Sequence, residues 1–296
     1  MISNRALDRL RDAAARPELD ARYSITGVAG RGGMGTVYVA RDHVLDRDVA
    51  VKVLDVADQK GSRAARLQRE ARILARLDHP GIVPIHDAGM LPDGRIFYVM
   101  KLIQGRRLDE VIASALPLPD RLNAFGRVLD AVAFAHAHGV VHRDLKPENV
   151  MVGSFGEVYV MDWGVAQDSH LEGEPTVVGT PGFMPPEQEQ PHDRVDARAD
   201  IFALGAMLAQ LSGPTAPPAL KAIAEKARQP DVNQRYADVA AFSADVARFR
   251  NQDPVEAYRE SAIERAIRLY RRYELPILLL LAYVVMRFVL LIWRGI

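Results

Sequence analysis

The sequence contains no cysteine, which excludes disulfide bonds, thiolate catalysis and zinc sites built on cysteine. Its 38 acidic and 38 basic side chains cancel, so no net field draws the protein toward nucleic acid, and no nucleic-acid partner is expected. The N-terminal stretch MISNRALDRLRDAAARPELD is too charged to hold the apolar core of a signal peptide. It predicts instead a helical extension over residues 1–22. The 296 residues are 49% apolar, which is typical of a globular protein large enough for two lobes.

Long apolar runs are absent except for LPILLLLAYVVMRFVLLIW, residues 275–293. At 1.5 Å per residue this run spans roughly 28 Å, close to the thickness of the hydrocarbon core of a bilayer. Arg287 costs about 3 kcal/mol near a helix centre, but the Leu, Ile, Val and Phe residues together contribute roughly −4 to −8 kcal/mol. The run therefore predicts one transmembrane helix, with a buried C-terminal helix as the alternative.

The arginines flanking this run predict its orientation. One arginine, Arg294, follows it, whereas four precede it: Arg265, Arg268, Arg271 and Arg272. The positive-inside rule then places the upstream chain in the cytoplasm, so the expected location is the cytoplasmic membrane with a single pass.

Three glycines near the start follow a GxGxxG pattern: Gly30, Gly32 and Gly35. In a dinucleotide-binding fingerprint such glycines lead into a helix. Here they lead into TVYVA, a β-branched and aromatic run that is typical of a strand. The pattern therefore predicts a hairpin whose glycine-lined turn lies over phosphates.

A lysine and a glutamate stand at positions where a charge needs a partner. Lys52 lies inside the apolar strand VAVKVL, and burying a lysine is costly without an anion. Glu70 falls on the same face as Leu67 and Leu74 of a predicted helix near residues 63–77. An ion pair between Lys52 and Glu70 resolves both costs; a snorkelling lysine and a glutamate at the rim are the alternative.

The order of the elements predicts an α+β protein with a small β-rich lobe and a larger α-helical lobe. The strands occupy residues 23–100, a connection follows near 101–105, and helices dominate 104–250. The segment 251–274 predicts a helix after Pro254, which lies either on anionic lipid or against the larger lobe.

The segment VVHRDLKPENVMV, residues 140–152, brings an acid, a lysine and an amide within six positions. Further on, EVYVMDWG predicts a short strand that ends near Asp162. Together with GRGGMG, VAVK, GTPGFMPPE, DIFALG and QRY, in that order over roughly residues 23–250, these segments resemble the protein kinases, specifically the eukaryotic-like serine/threonine kinases of bacteria. The resemblance implies the bilobal protein kinase fold and transfer of the γ-phosphate of ATP to Ser/Thr hydroxyls of protein substrates.

The resemblance also implies roles for individual residues. Asp144 would accept or orient the proton of the substrate hydroxyl, and Lys146 would contact the γ-phosphate, as in serine/threonine kinases. Lys52, held by Glu70, would contact the α- and β-phosphates.

Asn149 and Asp162 would hold Mg²⁺, with Mn²⁺ as an alternative. Met100 resembles the gatekeeper behind the adenine pocket. The implied nucleotide-binding set is Ala29, Gly30, Gly32, Gly33, Gly35, Val37, Ala50, Lys52, Met100 and Leu102.

Regulation is implied as well. Arg143 precedes the catalytic aspartate, and a phosphate on Thr176 would pair with it, which predicts autophosphorylation. Thr180 would contact the catalytic aspartate.

Two further contacts are implied outside the reaction centre. Glu187 and Arg235 would form an ion pair that pins the activation segment, and Asp200 would brace the catalytic loop. His136, His138 and His142 could be interpreted as a metal site, but the resemblance gives the last a structural role.

Three departures from the family pattern stand out. DWG replaces DFG, Lys101 replaces an acidic hinge residue, and the segment between residue 211 and Arg235 is shorter than in typical relatives. The last implies that a helix and loop that help to dock substrates are missing. The alternatives are an ATP-binding pseudokinase scaffold, a small-molecule phosphotransferase and a membrane adaptor; association into a homodimer stays open. Lys52, Asp144 and Asp162 are all present, which favours an active kinase.

Overall fold

The computed structural model describes residues 17–32, 35–53, 71–114, 116–163, 167–168, 180–188 and 196–294. The first lobe is built on a five-stranded antiparallel sheet with strand order β1-β2-β3-β5-β4. Its strands are β1 (Tyr23–Gly32), β2 (Gly35–Asp42), β3 (Arg47–Val53), β4 (Ile85–Met90) and β5 (Ile96–Lys101). This is the β-rich N-lobe that the sequence predicts.

The glycine-rich segment forms the expected hairpin rather than a strand-to-helix turn. Strand β1 pairs with β2 down to Gly32 opposite Gly35, and the register shifts at two points along the ladder. Residues 33–34 lie outside the described part of the chain. Strand β3 is buried over its last five residues, because its side chains alternate between two apolar clusters. Val49, Val51 and Val53 belong to one cluster, and Ala50 belongs to the other. Lys52 therefore enters the interior from a central strand.

The second lobe is mainly helical, as predicted. Its helices are α1 (Leu108–Ala113), α2 (Leu118–Ala137), α3 (Arg198–Ser212), α4 (Pro218–Ala227) and α5 (Val239–Arg250). Helix α2 buries Leu122, Phe125 and Leu129 at helical spacing, and α3 is buried nearly all round. Only residues 213–217 separate α3 from α4, which agrees with the shortened segment expected after residue 211.

Short strands surround the catalytic segment. Strands β6 (Gly105–Arg107), β8 (Val150–Gly153) and β9 (Val158–Val160) form a three-stranded sheet, and β7 (Val140–Val141) pairs with β10 (Gln167–Asp168). A 3₁₀ turn over Pro147–Asn149 lies between β7 and β8. These elements place the ends of several strands at one edge of the cleft between the lobes.

The two lobes also meet behind the cleft. Ile82 forms a parallel bridge with Val160 of β9, and the Val160 N–H donates to the carbonyl of Gly81 at 2.8 Å. An apolar cluster contains Ala50 and Met100 from the N-lobe together with Tyr159 from the helical lobe. The position of β9 is thus set by contacts to both lobes.

The segment after α5 differs from its prediction. Residues 251–261 contain no helix, and α6 (Ala262–Arg272) begins eight residues after Pro254. The reason is tertiary: the buried carboxylate of Asp245 accepts the N–H groups of Glu256 and Ala257 at 2.6 and 3.0 Å, and Val255 packs into the main core, so this segment is held against α5 in a non-helical conformation.

Helix α7 (Glu274–Arg294) covers the apolar run for which the sequence predicts a membrane span. Within the residues that the structure describes, no helix combines the length and the apolar character needed to cross a membrane. The expected transmembrane helix over 275–293 is therefore not confirmed.

The predicted helices at the start of the chain are described in part. Residues 1–16 lie outside the described residues, and 17–22 form no helix. Of the helix predicted near 63–77, residues 71–76 are helical. Glu70 falls outside the described part of the chain.

Candidate active site

Three side chains converge at the catalytic loop. The Thr180 hydroxyl donates to Asp144 Oδ1 at 2.9 Å, and Lys146 Nζ lies 3.0 Å from Asp144 Oδ2. Lys146 Nζ also donates to Thr180 Oγ1 at 2.8 Å. The expected contact of Thr180 with Asp144 is present, and the three groups form a closed triangle that fixes the carboxylate.

Asn149 is joined to the same carboxylate. Its side-chain amide donates to the backbone carbonyl of Asp144 at 2.8 Å and to Asp144 Oδ2 at 3.3 Å. The 3₁₀ turn that contains Asn149 turns the side chain back onto the loop, and the Met161 N–H donates to the Asn149 carbonyl at 2.8 Å. Asn149 is therefore held from both sides, next to the strand that leads to Asp162.

Lys52 reaches across the cleft to Asp162. Its Nζ lies 2.9 Å from Asp162 Oδ1, and the lysine is buried whereas the aspartate side chain is 55% exposed. Burial raises the pKa of the Asp162 carboxyl, but the charge and hydrogen bond of Lys52 outweigh it and hold the pKa below its usual value. Asp162 is thus an ionised, accessible carboxylate. The predicted partner of Lys52, Glu70, lies outside the described residues.

Trp163 is anchored beneath this carboxylate. The side chain is 1% exposed, its indole N–H donates to the carbonyl of Val160 at 3.2 Å, and its ring lies 4.6 Å from that of His142. His142 in turn bonds through Nε2 to the carbonyl of Met161 at 2.8 Å. These contacts hold Asp162, whose φ is +58°, in a strained backbone conformation. His142 has the structural position that the family resemblance implies.

Asp200 braces the catalytic loop from the buried helix α3. It accepts the backbone N–H groups of His142 and Arg143, each at 2.8 Å, and lies 2.7 Å from His136 Nε2. Burial raises the pKa of the Asp200 carboxyl, but the bond to His136 and the backbone donors outweigh it and lower the pKa. The sequence analysis names His136 only as a possible metal ligand and misses its contact with Asp200, because the partner is 64 residues away and no local pattern signals it.

Arg143 lies in the left-handed region, with φ +71°. Burial lowers the pKa of its guanidinium, and among the described residues its buried ε nitrogen has no hydrogen-bond partner. Its carbonyl accepts the Gln188 amide at 2.7 Å, which ties the loop to the segment that follows Thr180. Thr176, the predicted phosphorylation site, lies outside the described part of the chain, so its role stays a prediction.

Glu187 and Arg235 form the ion pair that the sequence predicts. Two nitrogens of Arg235 bind the two oxygens of Glu187 at 2.6 and 2.8 Å. The arginine also donates to the carbonyls of Arg198 and Gln229, so this buried cation is fully bonded. The pair pins the 3₁₀ turn Pro186–Gln188 against the base of α3.

The predicted adenine pocket coincides with one apolar cluster. Val37, Ala50, Met100 and Leu102 all belong to it or pack against it. Two residues that the sequence analysis did not name, Met151 and Met161, also pack against it. Of the predicted phosphate-binding residues, Ala29, Gly30, Gly32 and Gly35 lie in β1 and at the start of β2, whereas Gly33 is outside the described residues.

Comparison with known proteins agrees with this geometry. The model of the protein kinase domain family matches residues 23–257. The DNA damage-responsive serine/threonine-protein kinase RqkA of Deinococcus radiodurans is 41% identical over 202 residues, covering 64% of this chain and 29% of that protein. The serine/threonine-protein kinases PknB of Mycobacterium leprae and Mycobacterium tuberculosis are 33% and 35% identical, with 81% of this chain and 45% and 44% of theirs covered. The chain spans less than half the length of these relatives.

Proposed function

Because the chain belongs to the protein kinase family, we propose that it transfers the γ-phosphate of ATP to serine or threonine hydroxyls of proteins. The observation that carries this proposal is the joint presence of the Asp144–Thr180–Lys146 triangle and the Lys52–Asp162 pair at one cleft. Phosphoryl transfer through a loose transition state needs positioning and charge neutralisation, and these groups supply both.

Each charged group has a task in this reaction. Asp144 accepts a hydrogen bond from the incoming hydroxyl and orients its oxygen toward phosphorus, because Thr180 and Lys146 fix the carboxylate. Lys146 stabilises negative charge on the transferred group, and Lys52 binds the phosphates nearer the adenosine. The serine/threonine preference rests on Lys146 at its position after Asp144 and on the similarity to serine/threonine kinases.

Mg²⁺ fits the donor set at this cleft. Asp162 offers an ionised carboxylate that is half exposed, and Asn149 offers an amide; both are oxygen ligands of the kind that Mg²⁺ prefers, and Mn²⁺ accepts the same ligands. When bound, the cation neutralises charge on the β- and γ-phosphates.

The test uses the full chain with Mg²⁺, γ-labelled ATP and a protein that exposes serine and threonine. Asp144→Asn keeps the shape of the side chain but removes the charge, so we expect label transfer to fall at least about 100-fold while ATP still binds. Asp130→Asn, at an exposed aspartate of α2, is the matched control and keeps full transfer.

Two outcomes would contradict the proposal. Equal labelling by the Asp144→Asn protein would remove the role of Asp144. Binding of Mg²⁺-ATP by the unaltered chain without transfer to any protein, including itself, would favour the pseudokinase alternative.

We also propose that the C-terminal helices attach the kinase domain to the cytoplasmic face of a lipid bilayer. The large exposed apolar side chains from Leu275 to Trp293 are between 45% and 78% accessible, and an apolar surface of this extent needs a cover. Helix α6 exposes Ile263 and Ile267 together with Arg265, and a mixture of apolar and basic side chains suits the surface of an anionic membrane.

Vesicle flotation tests this attachment. The full chain should float with vesicles of phosphatidylglycerol and phosphatidylcholine, and Leu280→Glu combined with Val284→Glu should keep it at the bottom of the gradient. Two glutamates on the kinase domain, Gln229→Glu at a partly exposed position and Asn251→Glu at an exposed one, should leave flotation unchanged. A full chain that stays at the bottom would exclude lipid attachment.

A further inference from the structure

The first residue of the hinge (residues 101–105) is joined to the strand on the opposite side of the cleft. Lys101 ends β5, and its Nζ donates to the hydroxyl of Tyr159 at 2.5 Å. The same ammonium lies 4.8 Å from the centroid of the Tyr159 ring, within cation–π range. Tyr159 is 6% exposed, so its ring cannot turn away without disturbing the apolar cluster around it.

The two residues belong to chain segments that lead to different parts of the proposed nucleotide site. Lys101 stands between Met100 and Leu102, which contribute to the adenine pocket, and its N–H donates to the carbonyl of Pro84 at 3.2 Å. Tyr159 is the central residue of β9 and precedes Asp162, at the metal end of the site, by three positions. A bond between them therefore links the end of β5, next to the predicted adenine pocket, to the strand that leads to Asp162.

We propose that Lys101 and Tyr159 form a hinge clasp, a positioning pair that holds the two lobes closed on ATP. Lobes that close over a ligand rotate about a few hinge residues, and a bond that crosses the hinge disfavours the open state. If the closed form is the one that binds ATP, the apparent affinity is proportional to the fraction of protein that is closed. A larger closed population therefore gives tighter apparent binding. This inference rests on the proposed use of ATP.

The clasp predicts that its loss changes KM for ATP but does not lower kcat. Neither side chain contacts Asp144, Lys146 or Asp162 in the structure, so breaking the clasp should leave the transfer step intact. ATP enters and ADP leaves by the same opening, so a looser hinge raises KM for ATP while kcat is unchanged or increases.

Tyr159→Phe is the sharpest variant, because it removes the hydroxyl and keeps the ring in the apolar cluster. We expect KM and Kd for Mg²⁺-ATP to rise about fivefold, which corresponds to about 1 kcal/mol. Lys101→Met should raise them by a similar factor, and the double variant should add little to either single change, because both remove the same contact.

The chain offers a matched control far from the hinge. Lys226 Nζ lies 4.4 Å from the ring centroid of Tyr236, a contact of the same kind in the helical lobe. Lys226→Met should leave KM and Kd for ATP within twofold of the unaltered protein. Thermal unfolding of every variant shows whether a change in affinity accompanies a general loss of structure.

Three results would overturn the clasp. The first is an unchanged Kd for Mg²⁺-ATP in Tyr159→Phe. The second is full additivity of the Tyr159→Phe and Lys101→Met effects. The third is a rise in KM that is accompanied by an equal fall in kcat and by a lower melting temperature, which would indicate a general loss of structure. Calorimetric titration of Mg²⁺-ATP decides the question even if no protein substrate is phosphorylated, so failure of the clasp is distinguishable from failure of the proposed function.

Discussion

At the scale of single residues, one hydroxyl controls the geometry of the reaction centre. Thr180 donates to Asp144 Oδ1 and accepts from Lys146, with both distances under 3 Å. Without this hydroxyl the lysine and the carboxylate keep their direct contact, but neither is fixed relative to the segment that contains Thr180. Orientation of the reacting groups depends on such contacts.

We therefore predict that Thr180→Ala lowers kcat by between about 10- and 100-fold and changes KM for ATP little, because the hydroxyl does not contact the nucleotide pocket. Thr180→Ser retains the hydroxyl and should keep most of the activity. Steady-state phosphorylation of a protein substrate measures both constants. Equal kcat for the alanine and serine variants would show that the hydroxyl does not position Asp144.

The residues of this centre differ in how well the sequence predicts them. Asp144, Lys146 and Asn149 lie within six positions, so their spacing alone suggests a joint role. The contact of His136 with Asp200 was missed, because the two residues lie 64 positions apart. The place of Met151 was missed as well, because in the sequence it is an ordinary apolar strand residue. Site residues that lie close together in the sequence can therefore be predicted from it, whereas contacts between residues that only the packing brings together cannot.

At the scale of elements, the segment 253–258, here called the strap, is anchored on a buried carboxylate. Asp245 of α5 accepts the N–H groups of Glu256 and Ala257 and the hydroxyl of Tyr236. Burial raises the pKa of the Asp245 carboxyl, but these donors outweigh it and lower the pKa. Val255 of the strap is part of the main apolar core. The strap therefore belongs to the folded kinase domain rather than to a linker.

Asp245→Ala leaves two backbone N–H groups and one hydroxyl without an acceptor in the interior. We predict a loss of about 2 to 4 kcal/mol in the free energy of unfolding, with earlier proteolytic cleavage in the strap than elsewhere. Urea denaturation and limited proteolysis measure the two effects. Asp130→Ala, at an exposed position of α2, should change neither, and equal stability of the two variants would contradict the role of Asp245.

The prediction of a helix starting after Pro254 failed because helical periodicity does not reveal a distant acceptor. The true start of α6 was nevertheless encoded locally. Ser261 and Glu264 form a capping box: the Glu264 N–H donates to Ser261 Oγ at 3.2 Å, and the Ser261 N–H donates to Glu264 Oε2 at 2.8 Å. The S-x-x-E spacing was available in the sequence as a start signal.

At the scale of the whole molecule, the stability of the fold depends on pH although acidic and basic side chains are equal in number. Total charge is zero at neutral pH, yet several aspartates have pKa values held below their ordinary value by arginine, lysine or N–H partners. They are distributed over both lobes and include Asp42, Asp162, Asp196, Asp200 and Asp245. The hydrogen bonds from Arg22 lower the pKa of Asp42 to about 2.

A lowered pKa in the folded protein means that the unfolded chain binds more protons once the pH falls below about 4, the ordinary value for aspartate. The stabilisation from these groups is fully present above that pH and is lost as the pH falls through the folded pKa values. We therefore predict that the free energy of unfolding decreases steadily from about pH 4 to pH 2. Urea denaturation of the full chain at a series of pH values measures this dependence. Asp42→Asn should reduce its slope and Asp130→Asn should not; a free energy of unfolding that stays constant or increases over this range would show that the lowered pKa values do not stabilise the fold.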